Sequence, residues 1–383
     1  MDTAGLIEQA SDQAGLDNWG DESFRDGLER LVGALDAEAG LSELGVLALE
    51  QQVLANLTNR LRVTAWVRSH PVVLAERVER PIIVLGMPRT GTTLLHELFH
   101  RDPANRSLMR WEALDCVPPP DAASFENDPR IAASRAAADA MDALNPDFGA
   151  MHYEAPDGPT ECVAVLSQEF RSLLWSVVAN VPSYTRWMID ADPRPAYAYH
   201  HLVLQMLQSR APGRWALKTP HHALFLDAVL AEYPDARLVM THRDPVTVVT
   251  SLCSLARTLG GTFSADDHTA DLASTWTDVA SAITERVLAF RDRHGDERVA
   301  DVRYDELVAN PIRVVGRVLG HFGETLSPAA EAAMRGYLAE DPHRGFTPHR
   351  YTAADVGLDP RAVAERFGPY AERFGVEATA GPG

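Results

Sequence analysis

Residues 81–95 read PIIVLGMPRTGTTLL, and this stretch constrains the architecture more than any other part of the chain. Pro81 to Leu85 is a short apolar run with strand character. A compact turn follows, from Gly86 through Pro88, Arg89 and Thr90 to Gly91. Thr92 and Thr93 then open an apolar run with helix character. A strand that passes through a glycine-bearing turn into a helix start aims backbone N–H groups at a phosphate. The spacing comes close to Gly-x-x-x-x-Gly-Lys-Ser/Thr, the phosphate loop of nucleotide triphosphatases. Gly86 and Gly91 sit correctly, and Thr93 fills the Ser/Thr slot. The lysine slot holds Thr92, however, and a cation enters the turn itself as Arg89. The loop is built for a phosphate but not for cleaving a triphosphate.

The chain has 383 residues, of which 46% are apolar, enough for a buried core in one large domain or two small ones. No apolar run reaches the length of a transmembrane helix. The first residues, MDTAGLIEQASDQ, are acidic and lack the basic and apolar regions of a signal peptide. Three widely spaced cysteines, Cys116, Cys162 and Cys253, argue against a disulfide framework and for a reducing, cytoplasmic setting. A net charge of −19 argues against a nucleic-acid surface, which needs a basic stripe. An anionic ligand therefore requires a local basic pocket within an acidic shell. Arginine dominates the basic residues, and Lys218 is the one lysine in the sequence. A GC-rich genome accounts for the scarcity but not for the survivor. Arginine does not replace lysine where a compact ammonium is needed.

Along the chain, residues 1–79 have helical apolar spacing, for example Leu41, Leu44, Leu47 and Leu49, and are expected to form an N-terminal helical extension. Residues 80–375 are expected to form the main domain, with a mostly helical insertion at 124–210 on the side of a second substrate. Residues 376–383 are expected to be a frayed tail. Phe170, Trp175, Tyr184 and Trp187 give the insertion enough aromatic content either for an apolar cleft or for ordinary helix packing. Further strand runs are expected at Arg214–Leu217, Arg237–Thr241 and Arg298–Val302, with helices at His222–Glu232 and Val246–Leu259. Strands alternating with helices indicate an α/β fold, with a central parallel sheet of phosphate-loop type flanked by helices.

In such sheets, ligands bind beyond the carboxyl ends of the strands. Four strand ends carry ligand-capable residues: Arg89 to Thr93, Lys218 to His221, His242-Arg243, and Tyr304. Arg243 leaves one strand, and Ser251 lies two turns into the helix that follows. That pair is suited to a second phosphate, separate from the one at the first loop.

Taken together, GMPRTGTTLL (Gly86–Leu95), WALKTPHH (Trp215–His222), YPDARLVMTHRDPVTVVTS (Tyr233–Ser251) and VRYDELVANP (Val302–Pro311) resemble sulfotransferases that use 3′-phosphoadenosine-5′-phosphosulfate (PAPS). The resemblance spans about residues 80–370 and is strongest to the bacterial soluble branch, which is similar to tyrosylprotein sulfotransferases. It implies that Arg89, Thr90, Gly91, Thr92 and Thr93 bind the 5′-phosphosulfate, and that Arg243 and Ser251 bind the 3′-phosphate. Tyr304 approaches the adenine or packs in the core. Arg344, His349 and Arg350, in PHRGFTPHRY, correspond to a C-terminal loop over the nucleotide.

The resemblance also supplies a reason for the missing loop lysine. PAPS has no γ-phosphate, and sulfuryl transfer needs no magnesium bridge, so no metal is expected. The implied chemistry is in-line displacement at sulfur by an acceptor hydroxyl. Lys218 and Arg89 are the candidates for stabilising charge on the leaving phosphate oxygen. Two residues compete for general base. His221 follows Lys218 by three positions, similar to the histidine of cytosolic sulfotransferases but one position further on. Glu112, in LMRWEALDCVPPP, matches the place of the glutamate in tyrosylprotein sulfotransferases, and the adjacent Trp111 offers an apolar wall that raises a carboxyl pKa. His152, Glu154 and Glu161 either line the acceptor pocket or cap helices. The expected acceptor is a small-molecule hydroxyl, with no nucleic acid and no membrane span. The rival classes are a kinase with an atypical phosphate loop and a catalytically silent nucleotide-binding protein. Acceptor identity and oligomeric state have no readable signal.

Overall fold

The computed structural model describes residues 1–151, 154–340 and 352–378. They divide into two compact units, one of residues 1–78, 108–212 and 256–268, the other of residues 79–107, 213–255 and 269 onward.

The first unit is helical. Helix α1 (Thr3–Ala14) starts where the Asp2 carboxylate accepts the N–H groups of Ala4 and Gly5, and it ends at Gly15 in the left-handed conformation. Helix α2 (Phe24–Glu38) buries Phe24, Leu28, Leu31, Val32 and Leu35, one stripe at helical spacing. Helix α3 (Glu43–Ser69) is capped by the Ser42 hydroxyl on Gly45 N. Its inward face departs from the apolar spacing expected there. Leu49 is buried, but Leu44 and Leu47 are 45% and 63% exposed. The buried line runs through Gly45, Leu49, Val53 and Leu57, and Leu47 lies on the opposite side of the helix from Gly45. Gly45 leads that line because a Cβ there would fall 2.0 Å from the Phe263 carbonyl oxygen. Further on, Arg130–Leu144, Pro182–Asp190 and Arg194–Gln208 are helices, as the sequence suggests. Phe170, Trp175 and Tyr184 are fully buried, with Phe170 stacked on Trp175, so these rings pack the helical core.

The second unit holds the sheet. Its strands are β1 (Ile82–Gly86), β2 (Asn105–Ser107), β3 (Arg214–Lys218), β4 (Arg237–His242) and β5 (Val299–Arg303). All pair in parallel in the order β2-β3-β1-β4-β5. Ile82 pairs with Ala216 on one side and Arg237 on the other, so β1 is central and buried throughout. The chain leaves β1 toward one edge and later crosses to the other, which makes the carboxyl end of β1 the switch point where such sheets bind ligands. Strand β2 has no apolar run to announce it. Helix α4 (Thr92–His100) follows β1 and buries Leu95, Leu98 and Phe99 against Ala216, Val239 and Val302. Two boundaries differ from expectation. The helix expected from His222 is a tight turn at Pro220–Leu224 followed by a regular helix at Leu226–Glu232, with Phe225 breaking the run between them. The helix after β4 runs from Pro245 to Phe263.

Candidate functional site

The turn after β1 owes its shape to three residues with positive φ. Gly86, at φ 139°, lies so close to β4 that a Cβ would meet the Thr241 carbonyl oxygen at 2.5 Å. Gly91, at φ 91°, is the cap residue of α4, and a Cβ there would lie 3.0 Å from both Tyr304 and Leu307. Arg89, at φ 66°, carries a side chain in the left-handed region, at a cost of roughly 1–2 kcal/mol. Two contacts hold it: its Nε donates to Ser251 Oγ at 3.1 Å, and its carbonyl accepts from Arg243 Nη1 at 3.0 Å. Thr90 pins the turn from inside. Its hydroxyl donates to the Met87 carbonyl at 2.6 Å and lies 2.5 Å from Thr241 Oγ1 on β4.

Helix α4 then begins with no side-chain capping bond at Gly91 and no acidic residue in its first turn. Its positive end and first N–H groups therefore remain suited to an anion. Thr92 is buried and Thr93 half-buried in that turn. Lys218 arrives from the end of β3, where it pairs in register with Val84. It is 2% exposed, and its Nζ lies 3.4 Å from Thr93 Oγ1. The ammonium that the loop sequence lacks is thus delivered beside the loop by the neighbouring strand. Behind it, His96 donates Nε2–H to the Ala216 carbonyl at 3.0 Å, which ties α4 to β3. Burial, reinforced by the Lys218 charge, pushes the His96 pKa down to about 3, so this imidazole adds no charge of its own.

Arg243 leaves β4 with its guanidinium 3.9 Å from the centre of the Tyr304 ring. Tyr304 therefore lies under Arg243 and against Gly91 at once. Arg89 links the loop to the Arg243–Ser251 pair, bonding to both of its members. The assembled donors are backbone N–H groups, hydroxyls, two guanidinium groups and one ammonium. That set fits a nucleotide with two anionic ends, and the cradle at Gly91 leaves no room for a side chain. Among the described residues, no group of three or more His, Cys, Asp or Glu is arranged to hold a metal ion.

The two candidates for general base have different surroundings. His221 lies in the turn Pro220–Leu224, buried against Phe225 at 5.1 Å between ring centres. Burial pushes its pKa down to about 3. Glu112 belongs to the helical unit, in helix α5 (Arg110–Leu114). It is fully buried, and its Oε1 accepts the Met109 N–H at 2.9 Å. The turn around it is fastened by Asn59, whose amide bonds to Cys116 N and to the Ala113 carbonyl, and by Gln168, which also reaches Ala113. Trp111 is buried beside it, edge-on to Phe125. Glu154 accepts from Thr160 Oγ1 at 2.9 Å and pairs with Arg110 at 4.0 Å. Glu161 is half-buried just before the helix Val163–Leu166. His152, Arg344, His349 and Arg350 lie outside the described residues.

Sequence reasoning passed over Thr241, His96, Asn59 and Gln168. Thr241 lies inside a motif and His96 directly after one, and both were readable as polar residues within apolar runs. Asn59 and Gln168 act across long sequence separations and leave no local signal.

Residues 81–328 match the profile of the sulfotransferase family. A curated relative, omega-hydroxy-beta-dihydromenaquinone-9 sulfotransferase Stf3 of Mycobacterium bovis, is 24% identical over 310 residues, covering 78% of this chain and 75% of that protein. The crystal structure of sulfotransferase STF9 from Mycobacterium avium superposes with a TM-score of 0.90 at 34% identity, over 98% of this chain and 97% of that one. STF1 from Mycobacterium tuberculosis H37Rv gives 0.86 at 33% identity, over 96% and 99%. No helix among the described residues is long and apolar enough to cross a membrane. With the matched region running from the first residue before β1 past β5, and with two sulfotransferases sharing both sequence and fold over nearly the whole length, the chain belongs to the sulfotransferase family.

Proposed function

We propose that this sulfotransferase takes its sulfuryl group from PAPS and passes it to the hydroxyl of a small-molecule acceptor. The observation that carries the donor assignment is the gathering of the pair Lys218–Thr93 and the chain Ser251–Arg89–Arg243 around a helix start with no side-chain cap. Bound there, PAPS would supply an activated sulfuryl group on a phosphate leaving group. The turn N–H groups, Thr92 and Thr93 would hold the phosphosulfate end, and Arg243 with Ser251 the 3′-phosphate. Arg89 touches both regions and would set their spacing. Lys218 would hold a proton-bearing ammonium where charge builds on the leaving oxygen. Tyr304 would support the guanidinium of Arg243 from below and so fix its direction.

For the general base the reading favours Glu112 over His221. A conjugate acid with a pKa near 3 gives an imidazole little driving force to take a hydroxyl proton. Glu112 rests on its motif position and on the rigid turn that holds it. Single-turnover rates decide between them. Glu112→Gln should slow the chemical step by about 100-fold or more, and His221→Ala by much less. A normal step in Glu112→Gln removes it from the role.

The small-molecule acceptor is supported by the relative named for omega-hydroxy-beta-dihydromenaquinone-9. The donor is tested by calorimetry with adenosine 3′,5′-bisphosphate and, in parallel, with magnesium ATP. The bisphosphate should bind and magnesium ATP should not compete at equal concentration. Arg243→Ala should weaken bisphosphate binding about 10- to 100-fold, the worth of a charge-assisted hydrogen bond. Wild-type affinity in that variant would sink the clamp.

A further inference from the structure

The residue before Arg243 is held by an unusual chain of contacts. His242, on the last rung of β4, is fully buried. Its Nε2 lies 2.8 Å from Asp301 Oδ1 on β5, and its Nδ1 lies 2.8 Å from the hydroxyl of Tyr370 in the helix Gly368–Phe374. The ring of Phe374, from the same helix, stacks on the imidazole with centres 4.1 Å apart and planes 17° from parallel. Asp301 also pairs with the buried Arg291. A carboxylate only accepts, so Nε2 carries the proton toward Asp301. Burial lowers the pKa of His242, and the neutral ring then offers Nδ1 as acceptor to the Tyr370 hydroxyl.

His242 pairs in register with Arg303. The next residues along the chain, just past the ends of the two strands, are Arg243 and Tyr304, the guanidinium and the ring beneath it. Beyond that rung no ladder bond holds either chain, so the direction in which both leave the sheet depends on how firmly the rung is fixed. The bonds to Asp301 and Tyr370 anchor His242 at the rung from which Arg243 leaves. A leucine would fill the same space without the desolvation cost of an imidazole, a phenol and a carboxylate. What the polar chain adds is direction.

We propose that His242 is a positioning residue for the donor clamp, through which the helix Gly368–Phe374 sets the affinity for the nucleotide. The inference rests on the reading of Arg243 as a phosphate ligand. Tyr370→Phe removes one hydroxyl and keeps the ring. It should raise the dissociation constant for adenosine 3′,5′-bisphosphate and the KM for PAPS by about 5- to 10-fold, with kcat at saturating donor within about twofold. His242→Gln, which keeps an amide donor and a carbonyl acceptor, should bind the bisphosphate more tightly than His242→Leu. Wild-type bisphosphate affinity in Tyr370→Phe, with only a lower melting temperature, would overturn the proposal. Should His242→Leu fail to fold, Tyr370→Phe carries the test alone. Normal binding by Arg243→Ala overturns the clamp and this inference with it. Weak binding by Arg243→Ala beside normal binding by Tyr370→Phe overturns this inference only.

Discussion

Lys218→Ala should slow sulfuryl transfer sharply, lowering kcat by about 100- to 1000-fold at saturating donor, the usual loss when one preorganised charge donor is removed. Binding of the bisphosphate product should fall far less, because Arg243, Ser251 and the turn remain. The reason lies in the ammonium's setting. It is 2% exposed and lies 3.4 Å from Thr93 Oγ1, so little water can replace it. An interaction with developing charge counts for more in such surroundings than at the surface. Lys218→Arg should not rescue the loss. A planar guanidinium is broader than the ammonium, and in this slot it would press on Thr93 and the start of α4. Rapid-quench measurement of one turnover with saturating PAPS gives the decisive number. Turnover near wild type in Lys218→Ala would remove the lysine from the reaction.

A second large effect concerns pH. The unfolded protein's histidines titrate near the ordinary value, 6.5, whereas folding buries His96 and His221 with pKa values of about 3 and His100 with about 4. Below pH 6.5 the unfolded chain takes up protons that the folded chain excludes. Stability is therefore fully present above pH 6.5 and is lost as pH falls through the window from 6.5 to about 4 for His100 and to about 3 for His96 and His221. Each of the three contributes a slope approaching about 1.4 kcal/mol per pH unit. By pH 5 the summed loss is on the order of 5 kcal/mol, comparable with the whole stability of many domains. His242, also lowered by burial, acts in the same direction. Urea midpoints should thus drop steeply between pH 6.5 and 5, before most carboxylates titrate. His221→Phe should flatten the slope by about one proton equivalent. A midpoint constant across that range would contradict the burial of these rings.

Much of this was legible from the sequence because the basic residues of the candidate site sit at strand ends. Apolar runs announced β1, β3, β4 and β5, and the residues just after them, Arg89, Lys218, Arg243 and Tyr304, are those that gather around the uncapped start of α4. The parallel sheet followed from the alternation of strands and helices. What escaped notice lacked a local signature. Strand β2 reads Asn-Arg-Ser and takes its place by pairing with β3. The inward line of α3 is led by a glycine, so leucine spacing pointed to the wrong face. The link from Arg89 to Ser251 depends on a left-handed φ at an arginine, which no propensity favours. His242 appeared as part of a motif, and its tie to Tyr370 spans a distance in sequence that no pattern covers.

The pairing of β1 also governs how this protein is made. Both neighbours of the strand that carries the donor loop are encoded far downstream, with Ile82 meeting Ala216 and Arg237. During synthesis β1 leaves the ribosome as an apolar strand with two open edges and must wait for the residues from 108 to 212 before either can close. Contacts of such long sequence separation make folding slow, and an open apolar strand invites pairing with other chains. The last rung gains its contact with Tyr370 only after a further 128 residues beyond His242 have been made. A chain stalled before that helix would carry the finished sheet and the loop after β1 without the contacts that hold His242 at the last rung.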